Sequence, residues 1–305
     1  MIILLYHNVI AHRPSAFNML ARPDWLTVDE FDGEIASLAE RFDIVSVDDI
    51  ASAVSSRRRI PRACAITFDD GYRGAYKYGL PVVEKHGATA AYFVITGQFD
   101  GDATSAYDFF DRLEAQVFLT KAANIDLGKV GLNAMPLTCD ACKLAFLKYM
   151  NREIKTVPES QYDAVVGALD AQLGVDESAT MEYLSHEAFQ PMSWDDVDDV
   201  RRRGHIIGSH SRSHRALSQL EEETLSCEVA GSYDDLRRHC GEDGFAIAYP
   251  FGLQEHYNED VTDACKKAKF SYGLTAITGV NDEHASPFEL RRATFRELKK
   301  LRRAI

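Results

Sequence analysis

The sequence predicts an α/β fold framed by about seven strands, mostly parallel and separated by helices. Three observations predict it. Short apolar runs recur at 1–6, 42–47, 63–68, 88–95, 205–209, 245–250 and 270–277. Stretches with helical spacing separate most of them. The residues able to do chemistry (His7, Asp69, Asp70, His210 and the Tyr249-Pro250 corner) fall at the C-terminal ends of predicted strands, the face that carries the active site in parallel barrels.

Residues 1–6 form a continuous apolar run and read as a buried strand; 8–26 read as irregular. From Thr27 onward Phe31, Ile35, Leu38 and Ala39 have helical spacing, and Thr27 with Glu30 makes a capping box. A strand at 42–47 and a short helix at 48–54 lead to the basic run Arg57-Arg58-Arg59, a solvated turn. The strand at 63–68 runs into Asp69-Asp70-Gly71. A helix at 76–86, interrupted at Pro81, ends at Gly87, and 88–95 is the next strand.

Residues from about 101 to 191 behave differently. Phe109, Phe110, Leu113, Val117 and Phe118 form one helical stripe; Leu144, Leu147 and Met150 form another; Tyr162, Val165, Val166 and Leu169 a third. With little strand signal, this stretch reads as a helical insertion, either a lid or packing decoration. The alternation resumes with a helix at 194–203, bounded by Ser193 and Gly204, and a strand at 205–209. A long helix at 217–239, a strand at 245–250, a helix at 257–268, a strand at 270–277 and a basic helical tail at 297–303 complete the chain. The expectation is a single domain over 1–305 with the insertion inside it.

A formal net charge of −13 argues against a nucleic-acid partner and an anionic membrane surface. No run is long enough to span a bilayer, and the apolar start lacks a charged region and a cleavage site. Together these imply a cytoplasmic protein. The six cysteines are scattered, as reduced thiols are, and Cys139-Asp-Ala-Cys142 reads as two helix residues. Nothing in the sequence fixes the oligomeric state.

Two clusters carry the chemistry. Adjacent carboxylates at Asp69 and Asp70 repel, and a cation bound by one of them resolves the conflict and leaves the other as a base. An Asp-Asp-Gly turn closing a strand is the bland alternative. The second cluster, His210-Ser-Arg-Ser-His214, follows the apolar run at 204–208. If it begins a helical turn, both imidazoles project from one face and share an ion. With Asp70 they make a His, His, Asp set that suits a catalytic zinc or a similar divalent metal.

Thr67-Phe-Asp-Asp-Gly-Tyr72 and His210-Ser-Arg-Ser-His214 resemble the first two motifs of the polysaccharide deacetylases, and Ala248-Tyr-Pro-Phe-Gly252 is similar to the third. The resemblance covers roughly 1–100 and 190–295 and leaves the insertion outside. It implies a distorted (β/α) barrel that hydrolyses N-acetyl, sometimes O-acetyl, groups on sugars with a divalent metal, zinc first, with cobalt, nickel or manganese as alternatives. By that resemblance Asp70, His210 and His214 are metal ligands, Asp69 is the base that deprotonates the metal-bound water, and the Tyr72 backbone N–H helps hold the oxyanion. The partner so implied is an acetylated carbohydrate.

Two departures stand out. The family often has an arginine two residues before the third motif's proline, where this chain has Ala248; Arg292 is the candidate to supply the guanidinium instead, with Arg291 as the neighbouring alternative. The C-terminal Leu-x-Leu-His motif that often holds the acid is absent, and Leu4-Leu-Tyr-His7 resembles it. That order is familiar from the poly-N-acetylglucosamine deacetylase branch, whose barrel looks circularly permuted. His7 is thus the expected acid and His284 its rival. A non-catalytic carbohydrate-binding relative and a hydrolase of a non-sugar amide are the competing functions.

Overall fold

A computed structural model describes residues 1–13, 22–99, 106–241 and 244–301. Gly101, at the expected start of the insertion, and Arg302 and Arg303 of the expected tail helix lie outside the described residues. In chain order the frame begins with β1 (Ile2–Tyr6), β2 (Val9–Ile10), β3 (Leu26–Thr27), α1 (Val28–Ala39), β4 (Asp43–Ile44), α2 (Val47–Ser55) and β5 (Ala63–Phe68). Then come α3 (Leu80–Lys85) behind a π-helical turn at Ala75–Gly79, and β6 (Ala90–Val94). The stretch expected as an insertion holds α4 (Phe109–Leu119), β7 (Asn124–Ile125), β8 (Met135–Pro136), α5 (Asp140–Glu153), α6 (Glu159–Leu173) and α7 (Glu177–Leu184). The rest is α8 (Trp194–Arg202), β9 (Ile206–Ser209), α9 (Glu222–Cys240), β10 (Ile247–Ala248), α10 (Glu259–Lys267), β11 (Gly273–Thr278), β12 (Leu290–Arg292) and α11 (Phe295–Leu301).

Seven parallel strands run in the order β1-β5-β6-β9-β10-β11-β12. The path returns on itself: Leu5 N–H donates to Ala293 O at 3.0 Å and Ala293 N–H to Ile3 O at 2.9 Å. The result is the expected barrel, nearly closed, but its staves are not quite the expected seven. The run at 42–47 shrinks to β4, which pairs only with Ala63 and Cys64 of β5, while β6 pairs with Ile66, Thr67 and Phe68. The seventh stave is β12. At three residues, two of them arginine, it has no apolar run to announce it. The segment expected to be irregular holds β2 and β3, which pair in parallel.

Strand side chains alternate between faces, and here the alternation decides where the chemistry goes. Ile3, Ala63, Ala65, Ala91, Phe93, Ala246, Ala248 and Leu290 cluster together, with α2 closing the N-terminal end of the barrel. Their neighbours Leu4, Cys64, Ile66, Tyr92, Ile207 and Ile247 pack outward in a second cluster with helices α1, α3, α8, α9 and α10. Continuing the inner register puts His7, Asp69, His210 and Arg292 on the inner face. Small residues prevail there, and Gly208 is required: a Cβ on it would sit 2.4 Å from Phe93 Cε1.

Helices α4, α5 and α6 bury a core of their own, centred on Leu113, Val117, Phe146, Met150, Val165 and Leu169. Phe146 replaces the expected Leu144 and Leu147, which stay half-buried. Another cluster joins this unit to the barrel: Ala115 and Leu184 meet Ile10, Trp25, Tyr72 and Phe189. Among the described residues no helix is long and apolar enough to cross a membrane.

Candidate metal centre and active site

Strand β5 ends in two residues with different backbones. Asp69 continues the strand, its N–H donating to Tyr6 O at 2.9 Å. Asp70 takes φ 70° and Gly71 φ 71°. The left-handed region is unusual for a residue with a Cβ, and here it turns the chain so that two successive carboxylates face the same opening.

Asp69 is 3% exposed. Arg292 grips it with two hydrogen bonds, Nη1 to Oδ1 at 2.7 Å and Nη2 to Oδ2 at 2.6 Å. The guanidinium also donates from Nε to Thr275 O at 2.8 Å and from Nη1 to Thr67 Oγ1 at 3.2 Å. Burial pushes the Asp69 pKa up, but Arg292 and His210 outweigh it, and the carboxyl titrates below its ordinary value. Arg292, then, supplies from β12 the guanidinium that the third motif lacks at Ala248. Arg291 does not reach Asp69; its backbone is held by Asn281 instead.

Asp70, His210 and His214 offer ligand atoms that all lie within 4.8 Å of one another. His210 Nε2 is 3.4 Å and His214 Nε2 3.6 Å from Asp70 Oδ1. Both rings are fixed from behind. His210 Nδ1 donates to Ala248 O at 2.8 Å, and His214 Nδ1 bonds Asp108 Oδ1 at 3.0 Å. An acceptor on Nδ1 sets the tautomer that leaves the Nε2 lone pair free to bind an ion. Asp70 is held well below the ordinary carboxylate range: burial opposes this, but His210, His7 and His214 prevail. Two imidazole nitrogens and one carboxylate oxygen are donors that zinc and similar divalent ions accept, so the residues present fit a metal.

The loop between the histidines is not the helical turn the spacing suggested. Ser211 has φ 61° and His214 φ 57°. The loop is shaped by the buried Glu228 of α9, which accepts from the N–H groups of Arg212 and Ser213, both at 2.9 Å, and from Ser213 Oγ at 2.6 Å. Phe251 of the third motif also takes a left-handed φ of 61°, and its ring lies 4.6 Å from that of His214, centroid to centroid.

His7 opens toward the same mouth. Its Nδ1 lies 2.8 Å from Asp24 Oδ2. Burial pulls its pKa down, but Asp24, Asp70 and Asp69 together raise it to about 9. Its rival His284 is elsewhere. The loop carrying it is pinned to Met1, at the opposite end of β1, by Asn281 N–H donating to Met1 O at 2.8 Å. The Tyr72 backbone N–H has no hydrogen-bond partner among the described residues, while its hydroxyl donates to Asp111 at 2.8 Å.

The positions that sequence reasoning passed over are the orienting ones: Asp24, Asp108 and Glu228. Asp24 sits in a segment with no periodicity, and Asp108 caps α4 in the stretch set apart as an insertion. The one available signal was the Asp108-Phe-Phe-Asp pattern of a helix start.

The family model for polysaccharide deacetylase matches residues 56–129 and 147–273, more than half of the chain. Only 130–146 of the expected insertion is skipped, so most of that stretch lies inside the family match rather than outside it. No curated protein matches in sequence. Among solved structures, a Streptococcus pyogenes deacetylase, PplD, in complex with acetate is 16% identical with a TM-score of 0.60, covering 98% of this chain and 96% of that one. IcaB from Ammonifex degensii is 16% identical, TM-score 0.59, over 96% and 90%. A de-N-acetylase from Aggregatibacter actinomycetemcomitans is 14% identical, TM-score 0.58, over 98% of each chain. The match covers both motif-bearing strand ends, and the chain belongs to the polysaccharide deacetylase family.

Proposed function

We propose that the protein removes N-acetyl groups from an acetylated sugar or glycan precursor with the help of a divalent metal, zinc first among the candidates. The observation that carries the reading is the convergence of Asp70, His210 and His214 beside a separate carboxylate, Asp69, gripped by Arg292. A metal held by the three ligands would polarise the acetyl carbonyl and make water a stronger acid.

The other roles belong to the protein. Asp69 takes the proton of the attacking water; Arg292 fixes its plane and keeps it ionised. The unpartnered Tyr72 N–H faces the developing oxyanion. His7 is protonated through neutral pH and gives its proton to the departing amine, without which an amine is a poor leaving group. A groove of about 330 Å³ lined by Arg22, Asp24, Phe110, Leu147 and Asn151 reaches the partner of His7. It offers apolar and hydrogen-bonding surface to a sugar. The solved relatives described as deacetylases, one of them a de-N-acetylase, support the same reading.

The test is acetate release from N-acetylglucosamine oligomers by zinc- or cobalt-loaded protein. No release across a broad panel of acetylated sugars, with metal bound, would sink the proposal. His7→Ala should lower amide turnover roughly 10²–10⁴-fold while sparing an activated acetyl ester, whose leaving group needs no proton. Equal loss on both substrates removes His7 from the role.

A further inference from the structure

Helix α5 starts on a feature that deacetylation does not use. Cys139 is its N-cap residue, and the Cys139 sulfur accepts a hydrogen bond from Cys142 N–H at 3.3 Å. The two sulfurs are in contact at 2.7 Å. Cys139 is exposed and Cys142 half-buried, so a dissolved reagent reaches the pair. Thr138 Oγ1 lies 3.7 Å from Cys142 Sγ.

We propose that Cys139 and Cys142 form a reversible dithiol–disulfide site that exchanges with small-molecule disulfides. Geometry carries the proposal. Three residues of spacing at a helix start bring both sulfurs to one side of the first turn, within bonding reach without unwinding the helix. The first-turn N–H groups and the helix dipole favour a thiolate there. Hydrogen bonds from Cys139 and then Thr138 lower the Cys142 pKa in the same sense. Asp140, between the two cysteines, opposes the thiolate, and its effect is confined to a solvated surface.

In the exchange, one thiolate of the pair attacks a sulfur of the disulfide and releases one thiolate from it. The second cysteine then attacks the mixed disulfide at the protein sulfur and releases the other thiol. The pair loses two electrons and two protons; the external disulfide gains them as two thiols.

The full-length protein is equilibrated in a series of glutathione to glutathione-disulfide ratios, quenched with N-ethylmaleimide and mapped by peptide mass. The expected result is a single two-electron transition. Through it the peptide holding both cysteines passes from doubly alkylated to lighter by two hydrogens than the dithiol. In Cys139→Ser and Cys142→Ser the remaining cysteine should instead accumulate as the glutathione mixed disulfide. The exposed Cys227 is the internal control. If Cys227 becomes glutathionylated while Cys139 and Cys142 remain fully alkylated, the proposal is overturned. It is equally overturned if reduced protein binds zinc through this pair and the zinc blocks their alkylation, since the site would then be a metal site.

Discussion

The barrel and the segments laid over it divide the work at the site unequally. Strand ends supply the groups that would touch the reacting atoms, His7 after β1, Asp69 and Asp70 after β5 and His210 after β9, and β12 supplies Arg292, which grips Asp69. The overlying segments supply the groups that hold these in the right state: Asp24 behind His7 and Asp108 behind His214. The barrel's contribution is positional, because strand register fixes which face each side chain takes. The overlying contribution is electrostatic: Asp24 and Asp108 bias charge and tautomer at His7 and His214 from outside the barrel, as Arg292 and the Ala248 carbonyl do for Asp69 and His210 from within it. Removing a barrel group should therefore abolish a step, and removing an overlying group should retune it.

The largest effects should come from the ligand set. His210→Ala leaves two donors where the site has three, and Asp70→Asn replaces the anionic donor with a weaker neutral amide oxygen; both should lose bound metal and acetate release together, read by elemental analysis alongside the assay. Metal retained at wild-type stoichiometry in either variant would remove that residue from the coordination set. Next, Asp69→Asn should keep its metal and lower turnover roughly 10²–10⁴-fold. Equal metal loss in Asp69→Asn would mean that the two aspartates exchange roles.

The overlying residues should give smaller changes. Asp108→Asn leaves every ligand in place but weakens the acceptor on His214 Nδ1, so metal affinity should fall about 10–100-fold, while turnover at saturating metal changes far less. Competition with a metal-binding dye measures the first and acetate release the second. Asp24→Asn should act on the pH profile. The acid must be protonated, so activity falls as pH rises through the His7 pKa, which Asp24 helps to raise to about 9. Without that carboxylate the descending limb should move to lower pH and the plateau below it should survive. An unmoved limb would mean that Asp24 does not govern the acid.

What could be read from the sequence follows the same division. Asp69-Asp70 and His210 to His214 stand out because each follows an apolar run, and a strand end is legible one stretch at a time. β12 was not, since three residues with two arginines carry no hydrophobic signal. Arg292 was nonetheless a candidate, because the gap at Ala248 asked for a cation. Asp24, Asp108 and Glu228 are ordinary carboxylates until folding brings them behind a histidine or a loop, and no spacing rule links position 24 to position 7 or 108 to 214. The conformation of the histidine loop is not legible because left-handed Ser211 looks like any serine in sequence; the bonds that hold the loop come from Ser209 and from Glu228 of α9.

The closure of β12 on β1 sets the timing of assembly. Leu5 and Ala293 are hydrogen-bonded across nearly the whole length of the sequence. Contacts between such distant residues form late, because a long stretch of chain must be ordered before they can be made. During synthesis the ligand positions Asp70, His210 and His214 leave the ribosome while Arg292 is still inside it or not yet made. For that interval the chain lacks the guanidinium that grips Asp69, so if Asp70, His210 and His214 hold a metal, a chain truncated before β12 should still turn over no substrate.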